Sequence, residues 1–84
     1  MDEEKIRVTV RFFAVAREML GQEALSLTLP VGATLADLEA RLHREYPVLR
    51  TLRTRLAVNL RYVESSYVLQ PEDEVACIPP VGGG

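Results

Sequence analysis

One amphipathic helix, fenced at both ends, is the feature that most constrains this chain. Thr34 is followed three residues on by Asp37, an approximate capping box with Asp standing in for Glu. Leu35, Leu38 and Leu42 follow at i, i+3 and i+7, which makes one apolar stripe. Tyr46 closes the last turn. Pro47 stops it, because a proline pushes the residue before it out of helical geometry.

Around that helix the chain reads mostly in twos. Ile6, Val8, Val10 and Phe12 alternate with Arg7, Thr9, Arg11 and Phe13, so the pattern predicts a strand with one apolar face. Phe13 falls on the outward face, beside Arg11. Ala14 to Leu20 reads as a short helix, with Gly21 where a left-handed C′ residue belongs. Leu25, Leu27 and Leu29 make a second strand, ended by Pro30-Val31-Gly32. Val48 to Thr54 reads as a connector. Leu56, Val58 and Leu60 alternate as a third strand, with Asn59 near a turn. A short edge strand is expected between Tyr62 and Val68. Gln70-Pro71-Glu72-Asp73 is a turn, and Val75, Cys77 and Pro79 alternate with Ala76, Ile78 and Pro80 in a last strand. One main helix on one face of a small mixed sheet is an α+β arrangement. The order of the strands does not follow from these patterns.

Size and charge exclude several classes. With 84 residues, one domain is the expected count. A chain this short buries only about 60–65% of its unfolded surface, enough for one core with little room for a deep cleft. The formal net charge is −2, against the basic footprint of general nucleic-acid binders. Cys77 is the single cysteine and His43 the single histidine, so no internal disulfide, Cys-x-x-Cys zinc site or His/Cys cluster can form. The acidic start has no apolar core of a signal peptide. No apolar run approaches the roughly 20 residues of a membrane span. A cytoplasmic protein with no membrane and no nucleic-acid partner is expected.

The final residues carry the functional signal. Pro79 and Pro80 hold the backbone extended, each fixing φ near about −65°. Val81-Gly82-Gly83-Gly84 then follows. Glycine loses the most entropy on ordering, and a packed terminus would not favour it. Four extended residues reach roughly 13 Å at ~3.3 Å each, enough to thread a narrow tunnel that side chains would obstruct. A frayed, solvated terminus is the plain alternative. Residues 1–80 are therefore expected as the domain and 81–84 as an extended tail.

These pieces together resemble a known family. Arg11-Phe12-Phe13-Ala14 with Arg17-Glu18 and Gly21, Gly32-Ala33-Thr34, Ala57-Val58-Asn59, and Asp73-Glu74-Val75 leading to Ile78-Pro79-Pro80-Val81 and the glycines match in order over nearly the whole chain. The sequence is similar to the small-subunit family of molybdopterin synthase, in the ubiquitin-like β-grasp group of sulfur carriers. Gly82 departs from the Ser or Thr frequent there, while Gly83 and Gly84 are retained. The resemblance implies a last strand parallel to the first. It implies that an E1-like enzyme uses ATP to adenylate Gly84, that persulfide sulfur converts it to a thiocarboxylate, and that this sulfur attacks a pterin precursor in the pocket of the large subunit. The chain binds no cofactor itself on this reading and is not catalytic alone.

If the first and last strands are neighbours, Phe13 and Ile78 share an outward apolar patch, joined by Tyr62, and Pro80, Val81 and Gly82 continue it toward Gly83 and Gly84. Cys77 reads as a core residue, His43 as part of a solvated helix face, and Arg17 with Glu18 as a local ion pair. Arg50, Arg53 and Arg55 read either as a solvated connector or as a basic cluster for an acidic surface on the activating enzyme. Two other classes remain open: a carrier feeding sulfur to thiamine or tRNA, and a ubiquitin-like modifier joined to lysine. A plain interaction domain is a third.

Overall fold

The computed structural model describes residues 4–80. The tail expected at 81–84 lies outside them. The elements run β1 Lys5–Phe12, α1 Ala14–Leu20, β2 Ala24–Pro30, α2 Leu35–Glu45, α3 Val48–Thr51, β3 Arg55–Val58 and β4 Glu74–Ile78. The sheet order is β2-β1-β4-β3. β1 pairs with β2 antiparallel and with β4 parallel, and β3 pairs with β4 antiparallel. This is the mixed sheet and β-grasp order that the resemblance implied.

The alternation in β1 works as expected. Ile6, Val8, Val10 and Phe12 are all buried, and they meet Leu35, Leu38 and Leu42 of α2 in one core with Leu27, Leu29, Leu56, Val58, Val75 and Cys77. Each fully buried aliphatic side chain of this kind contributes about 1.5–3 kcal/mol. The capping box of α2 is complete: Asp37 N–H donates to Thr34 Oγ1 at 3.2 Å, and Thr34 N–H donates to Asp37 Oδ2 at 2.9 Å. Gly21 ends α1 with φ 70°, and its N–H donates to Arg17 O at 2.9 Å.

Three expectations need correction. The connector after Pro47 contains a one-turn helix, α3, whose Leu49 is fully buried. Four residues are too few to show a period. Leu60 is not an inward strand residue. Asn59 and Leu60 take φ 48° and 70°, and Val58 and Arg61 exchange backbone bonds of 2.7 and 3.0 Å across them. That is a tight two-residue turn, and it leaves Leu60 92% exposed. Finally, no strand forms between Tyr62 and Val68 beyond single bridges at Arg61 and Val68. That segment serves α2 instead. Leu35 N–H donates to Tyr67 O and Ala36 N–H to Ser65 O, satisfying donors that a helix start leaves free.

No described helix is long and apolar enough to cross a membrane.

Candidate functional site: the outer face of the sheet where β4 ends

At the end of β1 the chain turns a corner. Phe13 is extended, with φ −124° and ψ 154°, and Ala14 then takes φ 52°. Phe13 N–H donates to Cys77 O at 3.3 Å, which extends the parallel β1–β4 register one step past Phe12↔Cys77. Phe13 is thereby set beside Ile78. Its side chain is 42% exposed and Ile78 is half-buried.

Across the other side of β4, Ile78 stands opposite Arg55 of β3. The Arg55 guanidinium lies over the Tyr62 ring, 4.1 Å from its centroid. Phe13, Ile78, Arg55 and Tyr62 thus form one row on the outward face, at the edge where β4 leaves the sheet. Tyr62, expected beside Phe13 and Ile78, stands on an irregular segment and is linked to them only through Arg55. Pro79 is buried and Pro80 exposed. Two prolines in succession offer no N–H, so the ladder stops there. Val81, Gly82, Gly83 and Gly84 lie outside the described residues.

Further along the same face Arg11 Nε donates to Glu74 Oε2 at 2.7 Å. The hydrogen bond to Glu74, and its charge, raise the Arg11 pKa above its ordinary value. With Arg41–Glu45 this completes the ion pairs among the described residues. Arg17 and Glu18, expected as a local pair, are both exposed and do not form one. Arg50, Arg53 and Arg55 are all exposed, but only Arg55 belongs to the row.

Cys77 faces the core, as expected. Burial pushes its thiol pKa up, which keeps it protonated and unreactive. His43 is half-buried on α2, not fully solvated. Sequence reasoning missed Val15 and Met19, exposed four residues apart on α1 next to Phe13. A seven-residue helix carries too short a pattern to show which face is free.

Residues 10–84 match the ThiS family. The chain belongs to the ThiS family. A molybdopterin synthase sulfur carrier subunit of Arabidopsis thaliana is 36% identical over 85 residues, covering 99% of this chain and 88% of the relative. Among solved structures, the complex of subunits 1 and 2 of the molybdopterin-converting factor of Helicobacter pylori matches this ThiS-family chain at TM-score 0.64 and 25% identity. It covers 94% of this chain and 100% of that one. Small archaeal modifier protein 1 of Methanosarcina acetivorans matches at TM-score 0.74 and 26% identity, covering 96% of this chain and 99% of that one.

Proposed function

We propose that this ThiS-family chain is the sulfur-carrier subunit of a molybdopterin synthase, acting through residues 81–84 as an extended tail. The observation that carries the reading is where β4 leads. It leaves the sheet through Ile78, Pro79 and Pro80, directly beside the exposed row of Phe13, Ile78, Arg55 and Tyr62. A partner gripping that row receives the tail at a defined point. The Arabidopsis relative carries the corresponding name, and the Helicobacter structure pairs two subunits of the converting factor.

The family resemblance supplies the rest of the proposed chemistry. A carboxylate is a poor acyl electrophile, because oxide is a poor leaving group. An E1-like enzyme therefore joins the Gly84 carboxylate to the α-phosphate of ATP with loss of pyrophosphate, and AMP becomes the leaving group. Persulfide sulfur displaces AMP. A second thiol cleaves the sulfur–sulfur bond and leaves the thiocarboxylate at Gly84. In the pocket of the large subunit that sulfur attacks the pterin precursor, and hydrolysis of the resulting acyl bond returns the carboxylate. Phe13, Tyr62 and Ile78 grip the partner, while Pro80, Val81 and Gly82 lead Gly83 and Gly84 into the pocket. The chain supplies sulfur and a docking face; acid–base groups and ATP binding belong to the partners. The setting is the cytoplasm, where ATP is at hand.

Mass spectrometry of the protein isolated from its native cells tests this reading. A carrier shows a species heavier by the sulfur-for-oxygen difference, lost on incubation with the large subunit and precursor. The likeness to an archaeal modifier protein favours one competing outcome, a ladder of lysine conjugates. Such a ladder without any thiocarboxylate would overturn the carrier reading.

A further inference from the structure

On the outer face the arginines differ in what they do. Arg11 is neutralised by Glu74 at 2.7 Å. Arg55 has no ion pair and no side-chain hydrogen bond among the described residues, yet it is not loose. Its guanidinium rests over Tyr62, and its backbone is fixed opposite Ile78. A contact with a ring face uses no N–H donor. Among the described residues, all five donors of the guanidinium therefore remain open, on a side chain whose position is already restricted.

We propose that Arg55, held by Tyr62, receives a carboxylate of the large subunit that docks on this face. The inference rests on the docking role given above to Phe13 and Ile78, and adds the chemistry of the opposing surface: an Asp or Glu set within an apolar patch. Continuity with Phe13 and Ile78 puts Arg55 inside the interface instead of on a remote surface. There, desolvation strengthens a charge-assisted bidentate bond, and planar guanidinium matches carboxylate geometry. Stacking on Tyr62 restricts the rotamers of a long side chain before the partner arrives, so less freedom is lost on binding. Arg and Tyr are also the residue types that most often dominate interface energetics.

Titration calorimetry of the purified large subunit against wild type, Arg55→Gln, Arg55→Lys and Phe13→Ala, at low and raised salt, tests the proposal. Arg55→Gln is expected to weaken binding at least about tenfold at both salt concentrations, because a desolvated hydrogen-bonded charge pair is little screened. Arg55→Lys keeps the charge but not the planar fork, so its affinity falls between the two. Melting curves check folding; if Arg55→Gln is unfolded, Arg55→Lys reads the same contact. Unchanged affinity in both Arg55 variants, with Phe13→Ala weakened, overturns the carboxylate and leaves the docking face standing. Unchanged affinity in all three variants overturns the docking face and the carboxylate with it. Loss of adenylation by the activating enzyme, with large-subunit affinity intact, assigns the carboxylate to that enzyme and overturns the proposal.

Discussion

Phe13 N–H donates to Cys77 O at 3.3 Å, one step beyond the last regular pair of the parallel β1–β4 ladder. That bond ties the corner before α1 to the strand that leads toward the tail. It holds the Phe13 side chain outward beside Ile78 while Cys77 points into the core. The Phe13–Ile78 edge of the sheet and the strand that runs on to Pro79 and Pro80 are therefore tied by a backbone bond.

Truncating that edge should separate binding from folding. Phe13→Ala is expected to cost about 1–4 kcal/mol of affinity for the large subunit, as interface anchors do. The melting midpoint should barely move, because the side chain is already 42% exposed. Ile78→Ala should act in the same direction. Calorimetric titration with both variants reads this directly, and unchanged affinity in both would place docking on another face.

On the proposed role, changes in residues 81–84 should affect chemistry and not stability. Deleting Gly84, or adding one Ala after it, should abolish sulfur transfer while leaving the domain folded. Gly83→Ala should lower transfer much more than stability, which should change by no more than about ±0.5 kcal/mol. Thiocarboxylate delivery from the Ala-extended chain would sink the role of Gly84. A loss of several kcal/mol by Gly83→Ala in denaturant melts would make the tail structural.

Asp73 is the polar centre of the loops that precede β4. It is 5% exposed. Its oxygens accept from Asn59 Nδ2 at 2.8 Å, the Tyr67 hydroxyl at 2.9 Å and the Gln70 N–H at 2.8 Å. Asp73→Ala strands these donors and should destabilise the fold by on the order of 1–3 kcal/mol or more, by the cost of leaving partly buried donors unpaired. Urea melts measure it. A change near zero would mean that water replaces Asp73 without loss.

Stability should also fall on the alkaline side. The hydrogen bond to Asp73 is the main cause that raises the Tyr67 pKa above 10.0, with burial adding to it. The neutral phenol donates to Asp73; the phenolate cannot, and it repels the carboxylate. Because the folded value is the raised one, this contribution is intact below 10.0 and is lost as pH rises through the folded value. Burial raises Cys77 above its ordinary 9.0 and adds a loss of the same sign. Tyr67→Phe should be less stable than wild type near neutrality and should show a shallower alkaline decline. Equal slopes in pH-dependent melts would contradict the assignment.

Short-range devices were legible in the residues themselves. The alternation of Ile6, Val8, Val10 and Phe12, the Thr34–Asp37 box, the Gly21 cap and the Pro71 turn each depend on neighbours within a few positions, and each formed. Phe13 and Ile78 could be placed outward by counting in twos, and their family match supplied the parallel pairing. Tertiary structure decided what local pattern could not. Leu60 continued a perfect alternation, yet the chain turns at Asn59, whose side chain is held by Asp73 and the Glu74 N–H from a distant loop. A short edge strand is expected between Tyr62 and Val68, but the Ser65 and Tyr67 carbonyls meet the start of α2 and the Leu69 N–H meets Ala33. Arg55 and Tyr62 carry no spacing that announces a stack; they meet because β3 reverses between them. Periodicity and caps are set by the residue and its near neighbours, so one sequence contains them. Which distant group satisfies a given N–H or covers a given ring depends on how the strands and loops are brought together, and only the assembled fold determines that.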